Sequence, residues 1–262
     1  MEKKGIGIFD SGVGGLTVLK KLIKKLPNEK FYYLGDTARV PYGTKSKDTV
    51  VKYAIQNTKF LLSLDIKYLI IACNTASSYA VNEVREKFDI PVLGVIEPGV
   101  KEVLKYAKQS VGIIGTSATV SSGVYQRKIK ELNNKLNIVA RSCPLFVPLA
   151  EEGLFDDEIT YLAAQKYLGD LDDIDTLLLG CTHYPLLKNI IKRVVGDKVK
   201  VIDSAEAISN HIDEYLQKKN SYRKGDGKIK FFVTDSTEQF KKVGEQFLGK
   251  KIESVRLVDL SK

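Results

Sequence analysis

Short apolar runs alternate with longer amphipathic stretches along the chain, and the two differ in period. Runs at 5–10, 31–35, 68–73, 92–96, 111–115, 138–142, 176–180, 199–203, 229–234 and 254–258 are mostly uninterrupted by polar residues. That is the pattern of strands buried on both faces of a parallel sheet. Between the first two runs, Leu16, Leu19, Leu22, Ile23 and Leu26 form one helical stripe that Pro27 ends. Val51, Ala54, Ile55, Thr58 and Leu61 do the same within 46–64. Further helices are expected over 77–87, 98–108, 122–136, 186–195, 205–218 and 238–248. Strand and helix alternating in this way predict an α/β fold with parallel, doubly wound sheets.

A faint internal repeat adds to this. Asp175-Thr-Leu-Leu-Leu-Gly-Cys181-Thr182-His183 resembles Lys67-Tyr-Leu-Ile-Ile-Ala-Cys73-Asn74-Thr75, 108 residues earlier (181 − 73). Gly112-Ile-Ile-Gly-Thr116 resembles Gly7-Ile-Phe-Asp-Ser11 at an offset of 105 (112 − 7). Two related units facing each other are therefore expected. Ligands of such sheets bind beyond the carboxyl ends of the strands, so both cysteines would enter one interdomain cleft.

Composition narrows the class. The 262 residues are 44% hydrophobic and 28% charged, ordinary for a globular protein and too apolar for a disordered one. No window reaches 18 continuous apolar residues, which argues against a membrane span and a secretory leader. Three cysteines at 73, 143 and 181 make no disulfide framework, and two histidines make a His-rich metal site improbable. A cytoplasmic enzyme is the expectation. The net charge of +9 (41 − 32) comes from lysines in helical spacing, interleaved with acids, without an Arg-aromatic recognition motif. Nucleic acid is not an expected partner.

Candidate chemistry gathers at strand ends. Phe9-Asp10-Ser11-Gly12-Val13-Gly14-Gly15-Leu16-Thr17 is a strand, a glycine turn and a helix start whose amides could cradle an anion. It lacks the Lys-Ser/Thr of a P-loop and the third glycine of a dinucleotide fingerprint. Cys73-Asn74-Thr75 opens a helix whose N-terminus would favour thiolate over thiol. Cys181-Thr182-His183 repeats the placement with an imidazole two residues on. Either cysteine alone reads as a buried core thiol; matched contexts in matched units do not. Cys143, between Arg141 and Pro144, reads as non-catalytic. Glu151, after the apolar stretch 144–150, could face the cleft or merely favour a helix N-terminus. Residues 35–43 read as a polar turn.

Two opposed thiols suit inversion of a Cα centre without a cofactor. One takes the proton from one face while the other supplies a proton to the opposite face. Asp10, Glu151 and His183 could manage the protons. The amides and hydroxyls of Ser11, Asn74, Thr75 and Thr182 could hold the substrate's charged groups.

At these residues the sequence resembles the glutamate racemases, within the cofactor-independent aspartate/glutamate racemase superfamily. The resemblance covers essentially the whole chain. Cys73-Asn-Thr-Ala-Ser77 and Gly180-Cys-Thr-His-Tyr-Pro185 carry the superfamily signal. Asp10-Ser-Gly-Val-Gly-Gly-Leu-Thr-Val18 and Gly35-Asp-Thr-Ala-Arg-Val-Pro-Tyr-Gly43 point to the glutamate enzymes. The resemblance implies interconversion of L- and D-glutamate without pyridoxal phosphate or metal, supplying D-glutamate for peptidoglycan. It implies Cys73 and Cys181 as the acid/base pair, with Asp10, Glu151 and His183 as auxiliaries. The substrate site it implies is Asp10, Ser11, Pro41, Tyr42, Gly43, Asn74, Thr75, Thr116, Thr182 and His183. It also implies two domains, 1–96 with 207–262 and 97–206, the chain returning after about residue 206. A homodimer is left open as its assembly. Aspartate racemisation, a non-catalytic amino-acid binder and a cysteine hydrolase are the rival readings; the last two leave the duplicated thiol unexplained.

Overall fold

The structure is a computed structural model that describes residues 4–223 and 225–260. The chain begins with β1 (Gly5–Asp10), α1 (Leu16–Lys25), β2 (Phe31–Gly35), α2 (Lys47–Leu62), β3 (Ile66–Ile71), α3 (Asn74–Lys87) and β4 (Val92–Gly94). Helix α4 (Ile96–Tyr106) leads to a second set: β5 (Ser110–Gly115), α5 (Ser117–Ser121), α6 (Val124–Leu132), β6 (Asn137–Ser142), α7 (Phe146–Glu151), α8 (Glu158–Leu168), β7 (Thr176–Gly180), α9 (Lys188–Val195) and β8 (Lys200–Asp203). After α10 (Ser204–Lys218) come β9 (Ile229–Val233), α11 (Thr237–Leu248) and β10 (Val255–Leu257).

Two parallel sheets result. The first has the order β10-β9-β2-β1-β3-β4 and the second β6-β5-β7-β8. Strands β2-β1-β3-β4 and β6-β5-β7-β8 are laid out alike, so the faint repeat is a repeat of topology. In each, the central strand leads to a site position, Asp10 at the end of β1 and Thr116 directly after β5. The strand beside it delivers a cysteine: Cys73 after β3, Cys181 after β7.

The apolar pattern explains the layers. Every residue of β1, β3, β5 and β7 is buried, as sheets covered on both faces require. Successive side chains take opposite faces. Tyr68 and Ile70 join a core with Leu16, Leu19 and Leu22 of α1, whereas Leu69 and Ile71 join one with Ala54 and Leu61 of α2. The first core continues through Val100 and Val103 of α4 and Ile208 and Ile212 of α10 into Ile113 and Leu178 of the second sheet. Each such fully buried side chain contributes about 1.5–3 kcal/mol, and those on α4 and α10 bind the sheets to each other.

The elements depart from the sequence pattern at identifiable places. Strand β3 starts at Ile66, because Lys67 is buried and neutralised by Glu29 at 2.9 Å while donating to the Ser221 carbonyl. A lysine there conceals the start of the strand. The helix expected over 122–136 is the shorter α6, and the pattern gave no sign of α5 just before it, from which Gly123 separates α6 by turning left-handed at φ 64°. Helices α7 and α8 had no counterpart in the pattern. Leu145, Ile159 and Leu162 stay exposed there, so no one-sided stripe forms.

Candidate active site

The glycine turn after β1 is folded around a carboxylate of its own. Asp10 is fully buried; Oδ1 accepts from the Gly12 amide at 3.0 Å and Oδ2 from Thr182 Oγ1 at 3.3 Å. The Gly15 amide also faces it, and Tyr33 fixes the turn by donating to the Gly12 carbonyl at 2.8 Å. The sequence suggested that this turn cradles a ligand anion; at Gly12 and Gly15 the group cradled is the Asp10 carboxyl, whose pKa burial raises above the ordinary aspartate value. The glycines serve close approach. A Cβ on Gly14 would lie 2.3 Å from Thr182 Oγ1 and 2.5 Å from His183 Nδ1. Thr17 Oγ1 donates to the Thr182 carbonyl at 2.9 Å. The turn of the first sheet is thus pressed directly onto the cysteine loop of the second.

Cys73 caps α3, its Sγ accepting from the Ala76 amide at 3.5 Å. The helix N-terminus was expected to favour its thiolate. Burial acts more strongly, and the nearby Asp10 adds to it, so the Cys73 pKa is pushed up to about 12. Cys181 has a different neighbour. Its Sγ lies 3.7 Å from His183 Nδ1, and His183 Nε2 lies 2.8 Å from Glu151 Oε1 at the end of α7. Burial alone would lower the His183 pKa. Its hydrogen bonds to Cys181 and Glu151 outweigh that and push it up to about 10. Phe247 of α11 stands perpendicular to the imidazole at 5.3 Å and steadies it.

Polar groups from both halves meet beside Cys73 and Cys181. Thr75 Oγ1 meets Thr116 Oγ1 at 2.9 Å and Thr119 Oγ1 at 3.2 Å. Tyr42 turns its ring away, donating to Asp36, which Arg39 also binds, and accepting from Asn57 at 3.1 Å. Pro41, Tyr42 and Gly43 all line the cavity, and a Cβ on Gly43 would lie 2.8 Å from Thr116 Cβ.

One cavity of about 350 Å3 receives these groups, at the small end of the range for ligand sites. Cys73 and Cys181 line it with Ser11, Pro41, Tyr42, Gly43, Asn74, Thr75, Thr116, Glu151, Thr182 and His183. Asp10 stands one layer behind. Cys143 lies outside, in the core under Arg141, with its pKa pushed up to about 12 by burial. The sequence reading had no signal for Val40, Pro144, Val147 and Pro148 as cavity wall, because apolar residues carry no chemical motif. Among the described residues, no group of three or more His, Cys, Asp or Glu side chains could hold a metal ion.

The sequence model of Asp/Glu/hydantoin racemases matches residues 6–212. The chain belongs to this family. It is 49% identical to a glutamate racemase of Geobacter metallireducens over 99% of this chain and 98% of that protein. Among solved structures, it matches the glutamate racemase of Francisella tularensis in complex with D-glutamate at TM-score 0.94 and 40% identity, covering 100% of this chain and 99% of that one. The Thermus thermophilus glutamate racemase in complex with β-chloro-D-alanine gives 0.91 and 44%, covering 99% and 98%. A racemase of this family needs an acid and a base able to reach Cα, and the cavity presents two sulfurs with unlike surroundings. At Cys73 the proton stays on sulfur. At Cys181 an imidazolium faces sulfur and offers its N–H to a negative charge.

Proposed function

We propose that the enzyme is a glutamate racemase that interconverts L- and D-glutamate without a cofactor. The observation carrying this reading is that equivalent strand ends of the two sheets bring Cys73 and Cys181 to one small cavity, whose mainly apolar wall also carries the Ser11, Asn74, Thr75, Thr116 and Thr182 side chains. The relatives above, one solved with D-glutamate, support the substrate. L-Glutamate enters as a zwitterion with a second carboxylate. Asn74, Thr75, Thr116 and Thr182 supply donors for the carboxylates, and the Ser11 hydroxyl is an acceptor for the ammonium. The Cys181 thiolate, paired with the His183 imidazolium, removes the Cα proton of L-glutamate. The electron pair left on Cα is delocalised into the α-carboxylate, where neighbouring donors stabilise it. The Cys73 thiol delivers its proton to the other face, giving D-glutamate, a thiol at Cys181 and a thiolate at Cys73. The reverse reaction uses Cys73 as base for D-glutamate. Asp10, one layer behind Cys73, and the His183–Glu151 pair return the protons between turnovers.

Residues 1–96 with 207–262 form one domain of this reading and 97–206 the other. Its place is the cytoplasm, its product a precursor for peptidoglycan, and a homodimer its candidate assembly. The test is solvent exchange. Protein dialysed against chelator in deuterium oxide should racemise L-glutamate at full rate, faster than L-aspartate, and incorporate deuterium at Cα. Lost activity restored by pyridoxal phosphate or a divalent metal would overturn the reading.

A further inference from the structure

Behind the cavity one side chain spans from the neighbour of one cysteine to the neighbour of the other. Tyr125, near the start of α6, is fully buried. One ring edge lies 3.4 Å from where a Cβ on Gly180 would stand, and Gly180 directly precedes Cys181. The other edge lies 3.5 Å from the same position on Gly99 of α4. Its hydroxyl donates to Asn74 Oδ1 at 2.7 Å, and Asn74 directly follows Cys73.

With Oδ1 engaged, the other end of the amide matters. Asn74 is 3% exposed and lines the cavity, and its Nδ2 is buried without a hydrogen-bond partner. A buried N–H left unpaired is costly, so such a donor marks a place for a ligand's acceptor. An amide can be turned either way, and a neighbouring group must choose. Burial, and then the Cys181 sulfur, hold the Tyr125 pKa above the ordinary tyrosine value, so the hydroxyl keeps its proton as a donor. A donor selects the carbonyl end.

We propose that Tyr125 is a positioning residue for racemisation: its hydroxyl holds the Asn74 amide with Nδ2 turned to the cavity, where it donates to a substrate carboxylate. The inference rests on the glutamate racemase reading. Tyr125 rides on the second sheet's helix and Asn74 on the first's, so the donor is aimed only while both units are in contact. Substrate affinity is thereby tied to the approach of the two halves.

A double-mutant cycle tests it. Tyr125→Phe keeps the ring between Gly99 and Gly180 and removes only the hydroxyl. KM should rise about fivefold to tenfold for both enantiomers, with kcat changed less than about twofold and Tm retained. Asn74→Ala should raise KM similarly, and adding it to Tyr125→Phe should cost less than about twofold more. Additive effects, an unchanged KM, or a fall in kcat and Tm with KM unmoved would overturn the proposal. Should Tyr125→Phe fail to fold, the parent protein decides by 15N NMR. The Asn74 side-chain amide signal, identified by its loss in Asn74→Ala, should shift on glutamate addition; an unmoved signal overturns the proposal. Parent protein that turns over no glutamate overturns the underlying reading instead, and this one with it.

Discussion

At Cys73 two effects oppose each other: the α3 N-terminus stabilises a thiolate, while full burial beside Asp10 destabilises it. Burial wins, as its pKa near 12 records. The sequence shows the helix start but not the depth, so it gave the identity of this residue and the wrong charge preference. His183 is the converse case. Its partners hold a proton that burial would remove, and one of them, Glu151, lies 32 positions away in sequence. Because the folded pKa is raised, the imidazolium's contribution to stability is complete below about 6.5 and is lost as pH climbs through about 10. Glu151→Gln removes one partner. Its side chain is 42% exposed, so the effect is partly screened. The alkaline limb of kcat/KM for L-glutamate should then move toward neutral pH by about one unit; a pH-rate profile checks this, and an unmoved limb contradicts the role given to Glu151. Cys143 offers a contrast, since it is buried away from the cavity. Cys143→Ala should cost about 1 kcal/mol in thermal unfolding while kcat/KM stays within about twofold.

The strands were the most legible elements: burial on both faces writes a continuous apolar run in β1, β3, β5 and β7, while the edge strands β6 and β10 showed as shorter runs mixed with polar residues. All ten expected runs overlap a strand, with ends displaced by at most two residues. Helices were legible where one face alone is buried, as in α1 and α2, and illegible where apolar residues also point outward, as in α8. The glycine turn was found from sequence but its task was misjudged. Its spacing suggested a cradle for an anion such as a substrate carboxylate, whereas Gly12 and Gly15 hold the carboxyl of Asp10 and Gly14 lets the Thr182–His183 loop lie against the backbone. Gly14→Ala should therefore push that loop outward and displace Cys181 from its partner. We expect kcat/KM to fall by at least about 100-fold, as a misplacement near 1 Å does, with the fold retained by circular dichroism. Activity at the parent level would show that the close contact is dispensable.

At the level of the whole molecule, topology does what no local motif could announce. Two sheets that share a four-strand layout each deliver one cysteine to the cavity, and α4 and α10 carry a continuous core between them. The repeat was visible at two short matches, but the placement of β9 and β10 beside β2 was not, since it depends on which edge the returning chain finds. That return supports the site as well, through Phe247 on His183. A chain ending at residue 206 would uncover the β2 edge and the core under Phe231, Phe240 and Phe247. It should lose both cooperative thermal unfolding and activity; a folded, active fragment would contradict this architecture. The central claim proposed above, one thiol for each face of Cα, is also a property of the whole molecule, because each unit supplies one cysteine to the cavity. The most direct measurement uses a glutamate analogue with a leaving group at Cβ, whose elimination needs proton removal from Cα but no return of a proton there. Cys73→Ala and Cys181→Ala should both fail to racemise glutamate. Cys73→Ala, keeping Cys181, should eliminate from the L-analogue, and Cys181→Ala, keeping Cys73, from the D-analogue. The same enantiomer preference in both variants would mean a single base and would contradict the account.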